Sequence, residues 1–165
     1  NQEQCLYRFY QEKDYFQLCE SLHTIFFEEN FSCLEDKIQS LVCQKPTAIE
    51  VLEAITKIFP NQKGIPQNTK SACKRLCLFL RWMIRKNSEV DFGIWNILQE
   101  KDLIIPLDTH VFRISKQLSL TNRKQADMLS AIQITDKLKI TFPDDPLLGD
   151  YALFGYGVKH QEKTK

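Results

Sequence analysis

Residues 54 to 88 hold eight basic side chains, Lys57, Lys63, Lys70, Lys74, Arg75, Arg81, Arg85 and Lys86, and no Asp or Glu. A local charge of +8 favours a polyanion, because each phosphate that a cation neutralises releases condensed counterions. The excess disappears in the total of +1 for the chain, since residues 1 to 53 carry ten acidic and four basic groups, and residues 89 to 165 carry eleven and ten. The same distribution fits a basic helix facing the acidic first third of its own chain, and composition does not choose between the two.

Other chemistry-bearing residues are sparse. The chain has three His and six Cys, Cys5, Cys19, Cys33, Cys43, Cys73 and Cys77, with no CxxC pair. Most of these Cys sit in apolar helical surroundings such as CLFL, where a reduced thiol acts as a small hydrophobe. They read as structural thiols rather than zinc or iron–sulfur ligands, and no cofactor is implied. The opening NQEQCLYRFYQEKDYF lacks the basic and apolar regions of a signal peptide, and no run approaches the roughly twenty apolar residues of a membrane span. A cytoplasmic protein without a membrane partner is expected. The chain opens on Asn1 and not Met, which is compatible with a further N-terminal element.

What would position these residues is a set of helices. With 43% hydrophobic and 26% charged residues, the 165-residue chain has material for one core, so a single domain over 1–160 with a frayed tail at 161–165 is expected. Asp14 predicts the cap of a helix to about Glu28, with Phe16, Leu18, Cys19, Leu22, Ile25 and Phe26 as its apolar stripe. Ser32 with Glu35, and Thr47 with Glu50, have capping-box spacing for two further helices, the second closed by Pro60. After the loop NQKGIPQN, a long helix is predicted from Thr69 to Lys86. Advancing about 100° per residue places Lys74, Arg81 and Arg85 at about 40°, 20° and 60° from Lys70, an emergent cationic edge. Ile94, Trp95, Ile97 and Leu98 suggest another helix, and Leu103 to Pro106 an extended connector. Asp108 then caps THVFRISKQL, two short helices fill 125–141, and Asp145 with Pro146 opens the last helix. The fold class is all-α, with no sheet required.

Two segments carry a resemblance to a known superfamily. IIPLDTHVFRI, residues 104–114, resembles the stretch of the helix-hairpin-helix DNA glycosylases, which include endonuclease III and the 8-oxoguanine glycosylases, where an Asp opens a helix after a Pro or Val and a hydrophobe. GDYALFGYG, residues 149–157, resembles their late helix. Bifunctional members place a Lys early in the helix after the hairpin. KRLCLFLRWM, with Lys74 34 positions before Asp108, is similar to the archaeal 8-oxoguanine glycosylase branch, whereas Lys70-Ser71-Ala72 mimics the Lys-Thr-Ala of endonuclease III. Over roughly residues 5 to 158 the chain also resembles a bacterial family of unassigned function. It departs from the superfamily at IPQNTKS, where the hairpin glycines are missing and Asn68 is the residue able to turn left-handed, and it lacks the four-Cys iron–sulfur loop.

The resemblance implies a glycosylase-like multi-helix fold with a degenerate helix-hairpin-helix, in a monomer acting on duplex DNA with a flipped base. It implies Asp108 as the carboxylate that stabilises an oxocarbenium-like sugar and Lys74 as the nucleophile of a glycosylase with lyase chemistry. Lys70, Arg81, Arg85 and Asn68 would hold the phosphate backbone, and Asp150 and Phe154 would line the base pocket, with His110 and Arg113 nearby in the same helix as Asp108. A non-catalytic DNA-binding module and a helical protein-interaction domain are the alternatives.

Overall fold

The computed structural model describes residues 5–7, 10–86 and 88–161. The chain separates into two compact units, Asn1–Asn68 and Thr69–Lys165. Helices dominate both, as the apolar periodicity predicts. The residues Glu162 to Lys165 of the expected tail lie outside the described residues.

In the first unit, β1 (Cys5–Tyr7) and β2 (Tyr10–Gln11) form a two-stranded antiparallel hairpin that the helical reading did not require. The helix α1 (Glu12–His23) begins earlier than the sequence suggests. Asp14 is its third residue and accepts from the Gln11 amide at 2.8 Å, so Gln11 is the cap and Asp14 the other half of a capping box. Burial works against the Asp14 charge less than that amide favours it, and Lys63, 3.0 Å away, adds to the pull, so the carboxyl is held below its ordinary value. The chain continues as a π-helical turn over Thr24–Glu28, and of the expected stripe Ile25 is buried while Phe16 faces solvent.

A short helix α2 (Leu34–Gln39) has Cys33 at its cap position, one residue after the Ser32 expected there, and the Cys33 side chain makes no cap. In contrast, Thr47 caps α3 (Ala48–Ile58) as its spacing predicts: the Glu50 amide donates to Thr47 Oγ1, and the Thr47 amide donates to Glu50 Oε2 at 2.7 Å. The core of this unit is built from Ile38, Val51, Leu52, Ala54, Ile55 and Phe59.

The second unit opens with an irregular segment. Ser71 pairs with Asp127 in an antiparallel bridge and the Met128 amide donates to the Lys70 carbonyl, which keeps residues 69–73 out of the helix expected there. Cys73 takes a left-handed conformation, φ 46°, and α4 (Lys74–Ile84) starts only after it. The long helix is therefore shorter at its N-terminal end, and Lys70 is not part of it. Cys73 and Cys77 are buried, and burial pushes the Cys77 thiol up to about 12.

After α4 the chain doubles back. The Phe92 and Gly93 amides donate to the Trp82 carbonyl and the Trp95 amide to that of Met83, satisfying carbonyls the helix end would otherwise leave open. Gly93 has φ +60°, and an added Cβ would lie 2.7 Å from the Lys86 backbone, so the return path needs glycine there. No helix forms over residues 94–98: Trp95, Ile97 and Leu98 are buried from an irregular segment and Ile94 is exposed. A 3-10 turn covers Glu100–Asp102.

The connector Leu103 to Leu107 is neither helix nor strand and is wholly buried, with a tight turn in which the Leu107 amide donates to the Ile105 carbonyl at 2.8 Å. It is pinned by the Ile105 amide, which donates to Thr135 Oγ1 of α6 (Met128–Thr141) at 3.0 Å. One helix stands where two were expected over 125–141. Asp127 caps it and is drawn down to about 2, first by the Arg123 guanidinium. Asp108 caps α5 (Thr109–Gln117), which packs against α7 (Leu148–Gln161).

Candidate active site

Three elements of the second unit bring the site together. The left-handed Cys73 sets Lys74 at the first position of α4. The buried connector delivers Asp108 to the start of α5, and its Oδ1 accepts from the Val111 amide at 2.7 Å, which is the cap the sequence predicts. Its other oxygen faces Lys74: Nζ donates to Asp108 Oδ2 at 2.8 Å.

Both groups remain reachable, with side-chain exposures of 48% for Lys74 and 30% for Asp108. Burial opposes the charge on Asp108, but the Lys74 ammonium and the Val111 and His110 amides outweigh it, holding the carboxyl below its ordinary value. Asp108 is thus an ionised carboxylate with a cation against one oxygen.

A second carboxylate behaves differently. Asp150, in the first turn of α7, has only 13% of its side chain exposed and its nearest cation is Arg81, 3.6 Å away. Burial pushes it up to about 6; Arg81 and Lys74 pull the other way, and the Asp108 charge adds to the rise. The two carboxyls lie close enough to repel and differ in acidity, the usual condition for one to stay charged while the other carries a proton. Phe154, one turn further along α7, meets the His110 ring edge-on at 6.2 Å and is 57% exposed. Arg113 lies 3.4 Å from His110 Nδ1.

Arg81 and Arg85 are not an emergent edge, which corrects the helical-wheel expectation. Their side chains are 11% and 6% exposed. Arg85 Nε donates to Asp145 Oδ2 at 2.7 Å and its Nη1 to Asp91 Oδ2 at 3.0 Å, while Arg81 Nε lies 3.4 Å from Asp91 Oδ1. The Tyr151 ring lies within cation–π reach of both guanidiniums. Asp91 and Asp145 therefore take up the charge of Arg85, while Arg81 stands between Asp91 at 3.4 Å and Asp150 at 3.6 Å with its Nε buried and not hydrogen-bonded. The sequence reading missed Asp91 entirely and gave Asp145 only a capping role; Asp145 accepts from the Leu147 amide with one oxygen and from Arg85 with the other. A usable signal was that α4 contains no acid, so carboxylates for any buried cation had to come from elsewhere.

Lys70 and Asn68 are exposed. Asn68 is not among the residues of positive φ; Cys73 takes that conformation instead. Among the described residues no three His, Cys, Asp or Glu gather as a metal site, and no helix is long and apolar enough to cross a membrane.

Residues 1–159 match the family described as "Protein of unknown function (DUF2400)". The chain belongs to that family. This fits the bacterial family of unassigned function resembled over most of the chain, and the family carries no activity with it. No curated protein and no solved structure matches the chain.

Proposed function

We propose that the protein is a DNA glycosylase with lyase activity, removing a damaged base from duplex DNA in which the target nucleotide is flipped out. The observation that carries this reading is the Lys74 amine against the Asp108 carboxylate at 2.8 Å, two groups that the glycosylase resemblance named as nucleophile and stabiliser. Once Lys74 gives up a proton to water, its lone pair attacks the anomeric carbon as the bond to the base breaks, and the bonded nitrogen sheds a second proton to water. The bonding electrons leave with the base, which then takes a proton. Positive charge builds on the sugar during this exchange, and Asp108, already ionised, faces it. The resulting aminal opens to a Schiff base, from which the strand is cleaved.

Asp150 and Phe154 suit a base pocket: a carboxyl near neutrality in its acidity and an exposed ring on the same face of α7. With Arg81 and Arg85 paired inside the fold, phosphate contacts fall to outward residues of the same unit such as Lys70. A monomer in the cytoplasm is the simplest setting.

The test is borohydride trapping on duplexes that carry damaged bases. A covalent adduct is expected with wild type and none with Lys74→Ala, while Lys70→Ala keeps it. Salt-dependent DNA binding with no adduct and no excision would leave the chain a non-catalytic DNA-binding module.

A further inference from the structure

Asp91 is the pivot of a buried array of charges. Its side chain has no exposure, and it stands between Arg81 and Arg85 of α4. Arg85 has a second strong acceptor in Asp145, whereas Arg81 has Asp91 on one side and Asp150 on the other. The array therefore runs from Asp145 through Arg85, Asp91 and Arg81 to Asp150, and ends beside the Lys74–Asp108 pair. Its geometry is fixed by the loop after α4, whose Phe92, Gly93 and Trp95 amides are bonded back onto that helix.

We propose that Asp91 is a positioning residue for this site, and that its buried charge, 3.4 Å from Arg81 Nε but not hydrogen-bonded to it, governs the proton occupancy of Asp150. Arg81 is the cation closest to Asp150, and its charge is shared with a carboxylate that water cannot reach. Asp91 thereby leaves Asp150 less compensated than an undivided guanidinium would. The other groups that face Asp150 are Lys74 from α4 and Asp108 from the start of α5, with Tyr151 adjoining it and ringed against both arginines. His110 of α5 meets α7 one turn further on, through Phe154. Asp91 differs from these in reaching Asp150 only through Arg81.

This proposal deepens the glycosylase reading and rests on it for the consequence in catalysis, but its physical core is testable without DNA. Carbon-13 NMR of the Asp150 carboxyl gives its titration directly. Removing the Asp91 charge leaves Arg81 undivided, so in Asp91→Asn the Asp150 midpoint should fall from near 6 toward the ordinary carboxylate range. A tenfold gain in acidity would cut the protonated share at pH 6 about fivefold. Arg81→Gln should move the midpoint the opposite way, and Asp91→Glu should restore it. A role confined to stability would not give shifts of opposite sign.

Should Asp91→Asn fail to fold, Arg81→Lys keeps the charge but cannot fork to both carboxylates, and an upward shift is expected there. An Asp150 midpoint unchanged from wild type in a folded Asp91→Asn or Arg81→Lys overturns the proposal. In the presence of a lesion duplex, the pH dependence of trapping should move with the NMR midpoint. Trapping whose pH dependence stays fixed while the midpoint moves would also overturn the link to the site. If wild type traps nothing at any pH, the glycosylase reading is lost and the titration alone decides what Asp91 does.

Discussion

Lys74 Nζ lies 2.8 Å from Asp108 Oδ2 across 34 residues of sequence, and the same carboxylate caps α5 through its other oxygen. One side chain thus has a mechanical and a candidate chemical task, and the two can be separated by substitution.

Asn caps a helix about as well as Asp, whereas Ala does not. Asp108→Asn should therefore keep the cap and cost at most about 1 kcal/mol through the part-exposed pair with Lys74, while lowering excision by on the order of a hundredfold or more, as loss of a preorganised electrostatic group does. Asp108→Ala should add a loss of about 1 kcal/mol in stability. Denaturant titration beside single-turnover excision separates the effects, and excision at wild-type rate in Asp108→Asn would remove the residue from the chemistry.

The raised Asp150 carboxyl has a consequence for stability. Its folded value of about 6 exceeds the ordinary carboxyl value of 3.8, so the folded state binds the extra proton between those two values. Stability from this group is complete below pH 3.8 and is lost as pH rises through 6. Asp150→Asn, which mimics the protonated form, should stabilise the protein at pH 8 by up to about 3 kcal/mol and by little at pH 4. Thermal denaturation across that range checks it; a variant less stable than wild type at pH 8 would contradict the assigned direction.

Arg85 is expected to matter for folding and not for DNA. Replacing it with Met strands Asp145 without its cation and leaves Asp91 with Arg81 alone, a loss of about 3–5 kcal/mol by analogy with broken buried pairs. Chemical denaturation should register that loss.

Lys70 is expected to behave in the opposite way. It is exposed and outside α4, so Lys70→Ala should leave stability within about 0.5 kcal/mol. The slope of log affinity for DNA against log salt should fall by about one. An unchanged slope would take Lys70 out of the phosphate contacts.

How much of this was legible depended on whether the deciding interaction was local. The Thr47–Glu50 box and the Asp108 cap involve groups three residues apart, and both were readable from spacing alone. The start of α4 was not, because Ser71 is drawn away by Asp127, 56 positions later. Nor was the fate of Arg81 and Arg85. Two cations one helical turn apart look like a surface stripe until carboxylates at 91, 145 and 150 converge on them. Residues 94–98 misled for a related reason: apolar spacing marks what is buried, and here an irregular segment, fastened by amides to the end of α4, buries it.

The cysteines make reporter chemistry selective. Alkylating reagents react with thiolate, and Cys73 and Cys77 offer little of it: both are enclosed, both are raised, and Cys77 ionises only near 12. Cys19 and Cys43 are exposed, and both belong to the Asn1–Asn68 unit. A maleimide dye or spin label should therefore settle on that unit at neutral pH and leave the neighbourhood of Lys74 chemically untouched, without any engineering of the chain.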